Sequence, residues 1–283
     1  MAIFGTIGLM RRFTDLSSSA LASFRGVLGA LFLVVLVTVT RRGIDWAAFR
    51  VHWKLLTLSG VLLALNWMWL FDAYMYTTVA RATLAYYMSP IVIVLAAPFI
   101  AHDRLTPRKI LCVVTSLVGM AFILGVFGAP AADVPDNGRG IFLALLAACG
   151  DAGVILANVK LGSVEPYTKA ISQLFLGGAI LLPYVVATGG FAITQATLQP
   201  ASIASIMLLI IVHTGIAYAM FFDAVSFLPP SLTAALAYID PLIATAISVI
   251  VLHEPLGVSG AIGAALILGS TLVATLPPRH ARR

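Results

Sequence analysis

Charge is scarce in this chain. Only 10% of its 283 residues are Asp, Glu, Lys or Arg, against roughly a quarter in soluble domains. Apolar residues supply 61%, and mean hydropathy is +1.04. No single buried core absorbs that much apolar side chain, so lipid must be the solvent for much of the surface. Cysteine is almost absent. Cys112 and Cys149 both lie in apolar runs, which argues against a disulfide framework. No Walker-type glycine loop occurs, which excludes nucleotide-driven chemistry of that kind. No loop gathers metal ligands or a nucleophile with its base, so neither an enzyme, a cofactor nor a resident metal is expected. Met1–Met10 is apolar but has no basic leader or small-residue cleavage site, so no cleavable signal peptide is expected. The net charge of +6 would suggest nucleic acid in a soluble protein. Here it reads as a bias of Lys and Arg toward cytoplasmic loops, with no nucleic-acid partner.

What is present comes twice. Phe71-Asp72-Ala73 returns 151 positions later as Phe222-Asp223-Ala224. At the same offset, Tyr87, Pro90, His102 and Leu105 meet Tyr238, Pro241, His253 and Leu256, and Asp103 meets Glu254. An early helix aligns as well, Gly29 with Gly177 and Gly5 with Gly153. About 20 apolar residues cross a bilayer. On that measure the spans are Ala2–Met10 (stunted), Ser18–Val39, Leu55–Tyr76, Ala80–Ala101, Ile110–Phe127, Gly140–Asn158, Tyr167–Thr188, Ile203–Phe222, Ser231–Leu252 and Gly257–Leu276. The expectation is an all-α polytopic membrane protein of ten transmembrane helices in two five-helix repeats, residues 1–128 and 139–276, with a basic tail at 277–283. An odd number of spans per repeat inverts the second copy, the architecture of alternating-access carriers. Against its mate near Gly140, the first helix is truncated, as a late start codon or trimming would leave it. With both termini cytoplasmic, twelve Lys and Arg fall inside, Arg41, Arg42, Arg50 and Lys54 among them, against four outside. Gly128–Gly138 reads as an external loop between the halves.

Ionisable groups at membrane depth cost at least about 2.5–3.5 kcal/mol, so each needs a partner or a role. Asp240 lies near midspan. Pro241 after it cannot donate a backbone hydrogen bond, which frees the carbonyl of Ala237. The carboxylate and the neighbouring Tyr238 suit a substrate ammonium or a coupled proton; interhelical packing is the bland alternative, at even odds. Ser89 is its mate, preceded by Tyr86 and Tyr87. Adjacent residues point about 100° apart on a helix, so at most one of these tyrosines should face a cavity squarely. Arg25 and Asp72 could pair to brace the outer vestibule. Asn66 and Trp67 are further pocket candidates, and Asp151 is the second carboxylate at midspan. His213, Tyr218 and Gln173 are further candidates, of which His213, alone at that depth, reads more simply as a hydrogen-bonded helix contact. The acids of His102-Asp103 and His253-Glu254 suit caps on the next helix better than metal ligation.

The runs Ala82–Pro90 (ATLAYYMSP) and Ala234–Pro241 (AALAYIDP), the turns beginning His102-Asp103 and His253-Glu254, and Phe24-Arg25-Gly26 together resemble the drug/metabolite transporter superfamily and, within it, the EamA-like families. The likeness runs over nearly the whole chain and lies in order and spacing more than in any one motif. It implies a secondary carrier, commonly an exporter of amino acids or other small metabolites, in a bacterial inner membrane and without an ATP site. On this reading Asp240, Tyr238, Tyr86, Tyr87, Ser89, Arg25, Asn66, Trp67 and Asp151 handle the substrate. A lipid-carrier flippase and a non-transporting scaffold subunit are the alternatives. Oligomeric state is left open.

Overall fold

The computed structural model describes residues 1–100, 106–123, 136–227, 236–237 and 239–275. Residues 128–135 of the inter-repeat loop, the basic tail, His102, Asp103 and Tyr238 fall outside them; the last two loop residues, Asn137 and Gly138, are already helical behind the Asp136 cap. Every regular element among the described residues is helical. Among them, seven helices are long and apolar enough to cross a membrane, and Ile239–Ile250 is apolar but shorter.

The opening segment is two short helices, α1 (Ala2–Gly5) and α2 (Ile7–Arg12), rather than one. They part at Thr6, whose hydroxyl turns back on the Ile3 carbonyl at 2.8 Å. Helix α3 runs Ser18–Val39 behind an N-cap at Ser17. Helix α4 (Trp46–Tyr76) starts earlier than apolarity alone indicates, because Asp45 caps it and its first turns continue beyond the apolar run. The next span is interrupted: α5 (Val79–Tyr86) and α6 (Ser89–Ile100) meet at a turn over Tyr87–Met88. Pro90 lacks the N–H that would bond the Tyr86 carbonyl, which accounts for the break.

Helices α7 (Pro107–Ile123), α8 (Asn137–Lys160) and α9 (Pro166–Ala187) follow. Then comes a three-part rod of α10 (Pro200–Met207), a π-helical stretch (Leu208–Ile216) and α11 (Ala217–Phe227). Helices α12 (Ile239–Ile250) and α13 (Gly257–Thr275) end the described chain.

Helix α9 packs most extensively on α3 and α4, α8 on α4, and α13 on α7. Without a hydrophobic drive between helices in lipid, close backbone approach and buried hydrogen bonds must hold such contacts. Both are present. A Cβ on Gly60 would stand 2.7 Å from the Gln173 carbonyl, and one on Gly178 2.8 Å from that of Ser23. Ser23 donates to the Gly178 carbonyl at 2.8 Å. Gln173 bridges Ser59 and Asn158 at 2.7 and 2.6 Å, and Ser116 meets Ser270 at 2.6 Å across α7 and α13. Outward faces carry exposed Leu31, Val35, Phe142 and Phe175, as a lipid-facing surface requires.

Candidate functional site

The helices enclose a cavity of about 250 Å³ beside α1, lined by α3, α4, α5, α11 and α12. Arg25 forms one wall. It is 1% exposed, its guanidinium lies 4.1 Å from the Trp67 ring centre and 5.3 Å from that of Phe71, and its Nε donates to Thr214 at 2.9 Å. Its Nη1 is buried without a partner. The π-helical stretch makes the Thr214 contact possible. There Thr214 bonds the carbonyl five residues back, at Leu209, and His213 does the same to Leu208, its other ring nitrogen 2.7 Å from Thr6. Such stretches interrupt α-helices mostly at functional sites.

Asp240 also lines the cavity. The Tyr87 hydroxyl is 3.0 Å from its Oδ2 and 3.1 Å from the Ala237 carbonyl, the group that Pro241 leaves without a helical donor. Tyr86 and Tyr87 both line the cavity, with ring centres 6.0 Å apart and nearly perpendicular. Both reach the cavity, although they are neighbours at the end of α5, where Tyr87 N still bonds the Thr83 carbonyl at 3.0 Å.

A second carboxylate cluster adjoins the first. Ser89, aligned with Asp240 in the repeat, donates to Asp151 at 2.6 Å, and Asn66 reaches the Tyr86 hydroxyl at 3.4 Å. Tyr86 links this cluster to the cavity. Of the expected residues, Arg25, Trp67, Tyr86, Tyr87 and Asp240 share the cavity wall, while Ser89, Asn66 and Asp151 stand behind it. Tyr74 and Thr83 also line the cavity; nothing in their local sequence marks them. Tyr218, a further candidate, lines it too.

Two expectations of pairing change. Arg25 turns to Thr214 and Trp67 rather than to Asp72. Glu254 does cap a helix, but not the next one. It accepts from Val79 N, at the start of α5, at 2.8 Å, from Ser248 at 2.5 Å, and from Arg12 at 2.5 Å. Toward the other end of the bundle, Arg42 pairs with Asp223 at 2.5 Å, and Tyr167 donates to the same oxygen at 2.9 Å. Among the described residues, no three His, Cys, Asp or Glu group as metal ligands would.

Comparison with known proteins agrees with this architecture. The chain is 30% identical to the uncharacterized transporter YxxF of Bacillus subtilis (strain 168), over 86% of its own length and 76% of the relative's. The uncharacterized transporter YwfM of the same organism is 24% identical, over 98% and 91%. A solved structure described only as "Crystal structure of protein" shares the fold at a TM-score of 0.67 and 21% identity, over 99% of this chain and 95% of that one. The EamA-like transporter family model matches residues 1–125 and again 138–276; this integral membrane protein belongs to the EamA-like transporter family.

Proposed function

We propose that the chain is a secondary carrier that exports small organic metabolites of the amino-acid type by alternating access, with Asp240 also able to carry a coupled proton. One observation carries this reading: a buried guanidinium with an unused donor and a carboxylate line one aromatic-walled cavity. A charged group so deep costs at least about 2.5–3.5 kcal/mol, and a substrate carboxylate on Nη1 would offset that cost. Asp240 would take the ammonium, or a proton when no amine is bound. The rings of Trp67, Tyr86 and Tyr218 suit an apolar side chain. A cavity with ionisable groups on its wall favours a carrier over a scaffold subunit, whose centre would be filled.

The proposed frame is ten spans in two inverted repeats, residues 1–128 and 139–276, with both termini cytoplasmic in a bacterial inner membrane. It is supported by two helices of 22 residues, α3 and α9, that begin 148 positions apart and pack on one another. The five matched positions from Tyr87/Tyr238 to Leu105/Leu256 support it too. In the cycle, one helix group rocks against the other and opens the cavity to each side in turn.

The deciding experiment is counterflow of labelled amino acids in proteoliposomes. Wild-type protein should exchange substrate, and Asp240→Asn should insert normally and exchange none. Normal exchange by the Asn variant would remove Asp240 from the mechanism. Labelling that puts Arg42 and the C-terminal tail on opposite faces of the membrane would end the inverted-repeat frame.

A further inference from the structure

Helices α3 and α9 end in the same way. Past α9, Gly189 N bonds the Val186 carbonyl and Gly190 N that of Val185, with Gly189 at φ +66°. Past α3, Arg41 N bonds the Thr38 carbonyl and Arg42 N that of Val37, with Arg41 at φ 54°. This paired-bond cap calls for a left-handed residue, a conformation cheap for glycine and costly for a side chain with a Cβ. One helix end has the glycine. The other holds an exposed arginine at a position that disfavours it; among the described residues His253 shares that conformation, but in the turn beside Glu254 and not at a cap whose counterpart is glycine. Strain kept where glycine would relieve it points to a use for the side chain.

An apolar groove of about 390 Å³ lies along the last turns of α3 and the start of α4, with Ile44, three residues after Arg41, in its lining. Its floor runs along α3 from Val34 to Val27, about 10 Å by helical rise, and Trp46, Phe49 and Phe175 complete its walls. Trp46 is 62% exposed. Three basic residues adjoin this lining along the chain. Arg50 follows Phe49 and lies one turn from Trp46, and half-buried Lys169 lies one turn from the lining Ser172. The nearby acids are engaged: Asp45 caps α4 at Ala48 N, at 2.9 Å, and Glu165 caps α9 at Thr168 N, at 2.7 Å. Arg42 is held by Asp223. An apolar slot one acyl segment long, rimmed by cations whose neighbouring carboxylates are already bonded, matches one occupant.

We infer that this groove binds an anionic phospholipid of the surrounding bilayer, with an acyl chain along α3 and the phosphate held by Arg41 and Arg50. Basic pockets between membrane helices recognise anionic headgroups by the same charge complementarity. The site is separate from the central cavity, so it stands or falls independently of the transport reading.

The test uses purified full-length protein in neutral detergent, titrated with phosphatidylglycerol or phosphatidylcholine whose acyl chains carry bromine. Brominated phosphatidylglycerol should quench tryptophan fluorescence saturably, at a mole fraction at least tenfold below phosphatidylcholine, and Trp46→Phe should remove that component. Arg41→Gly separates a lipid role from a structural one. It should melt no lower than wild type without lipid, because it relieves the strained cap, yet lose the rise in melting temperature that phosphatidylglycerol produces. Should that variant fail to insert, Arg50→Gln read by quenching decides, with a loss of several-fold in apparent affinity expected. Equal quenching by both lipids, quenching that survives Trp46→Phe, or a lipid response unchanged in the arginine variants would overturn the assignment.

Discussion

The Tyr87 hydroxyl stands between two acceptors, Asp240 Oδ2 at 3.0 Å and the Ala237 carbonyl at 3.1 Å. It has one proton to give. When Asp240 is ionised, the phenol satisfies the carboxylate and leaves the carbonyl at the proline break unbonded. On the proposed function, a proton or a substrate ammonium at Asp240 would free the phenol to turn to that carbonyl, which would tie occupancy of the acid to the backbone around Pro241.

Removing the phenol should uncouple the two. A hydrogen bond to a charged group contributes about 1.5–3 kcal/mol, so Tyr87→Phe is expected to lower exchange roughly tenfold to a hundredfold while the protein still inserts. Counterflow in proteoliposomes reads the loss, and wild-type rates from the Phe variant would exclude the hydroxyl from the cycle.

Arg25 should behave as an anion site rather than a brace. Arg25→Gln is expected to raise the apparent KM for a zwitterionic substrate about tenfold or more and to leave an amine lacking the carboxylate unaffected. Lysine should not rescue it, because it supplies neither the planar stack on Trp67 nor the fork of donors. An equal loss for both substrate types would point to a structural role.

At the outer-facing clasp of the proposed topology, Glu254 satisfies the first N–H of α5 and holds Arg12. Glu254→Ala should cost about 1–2 kcal/mol, the scale of a lost helix cap. Thermal unfolding in detergent measures it. Adding Arg12→Gln should cost less in the Ala background than in wild type if the two groups act together.

Acid should release the opposite contact. The Arg42 guanidinium holds the Asp223 carboxyl below its ordinary value of 3.8. A carboxyl with a depressed pKa contributes stability that is present above its unfolded value and lost as pH falls through the folded one. The contribution is therefore intact at neutral pH and disappears only below about pH 4. Asp223→Asn should flatten that acidic limb of the melting curve, and an unchanged limb would assign it to other carboxylates.

How much of this was legible beforehand depends on the kind of signal. Ser18–Val39 is a helix with the bounds that apolarity implies, since that signal is local. Trp46–Lys54 escapes the same reading because hydropathy follows lipid contact, whereas the hydrogen-bond ladder continues from the Asp45 cap. Asp240 announced itself through cost, and the Ala237 carbonyl through proline chemistry. Thr214 and Tyr74 gave no sign. Their part depends on a π-helical register and on which face of α4 turns inward, and neither has a signature in composition or periodicity. Glu254 showed the capacity to cap but not its partner, because the helix it caps lies 175 residues away in sequence.

Where α3, α4 and α9 cross, carbonyls and α-carbons meet with no side chain between them to swivel or compress. That junction has no slack, so these three rods must travel as one block. Any change of shape is pushed outward to the discontinuities: the joint at Thr6, the bend before Pro90 and the widened turns preceding Ala217. The first two adjoin residues that line the cavity, and the third holds Arg25 at its wall through Thr214, so on the proposed function the parts of the scaffold free to yield are those nearest the cargo.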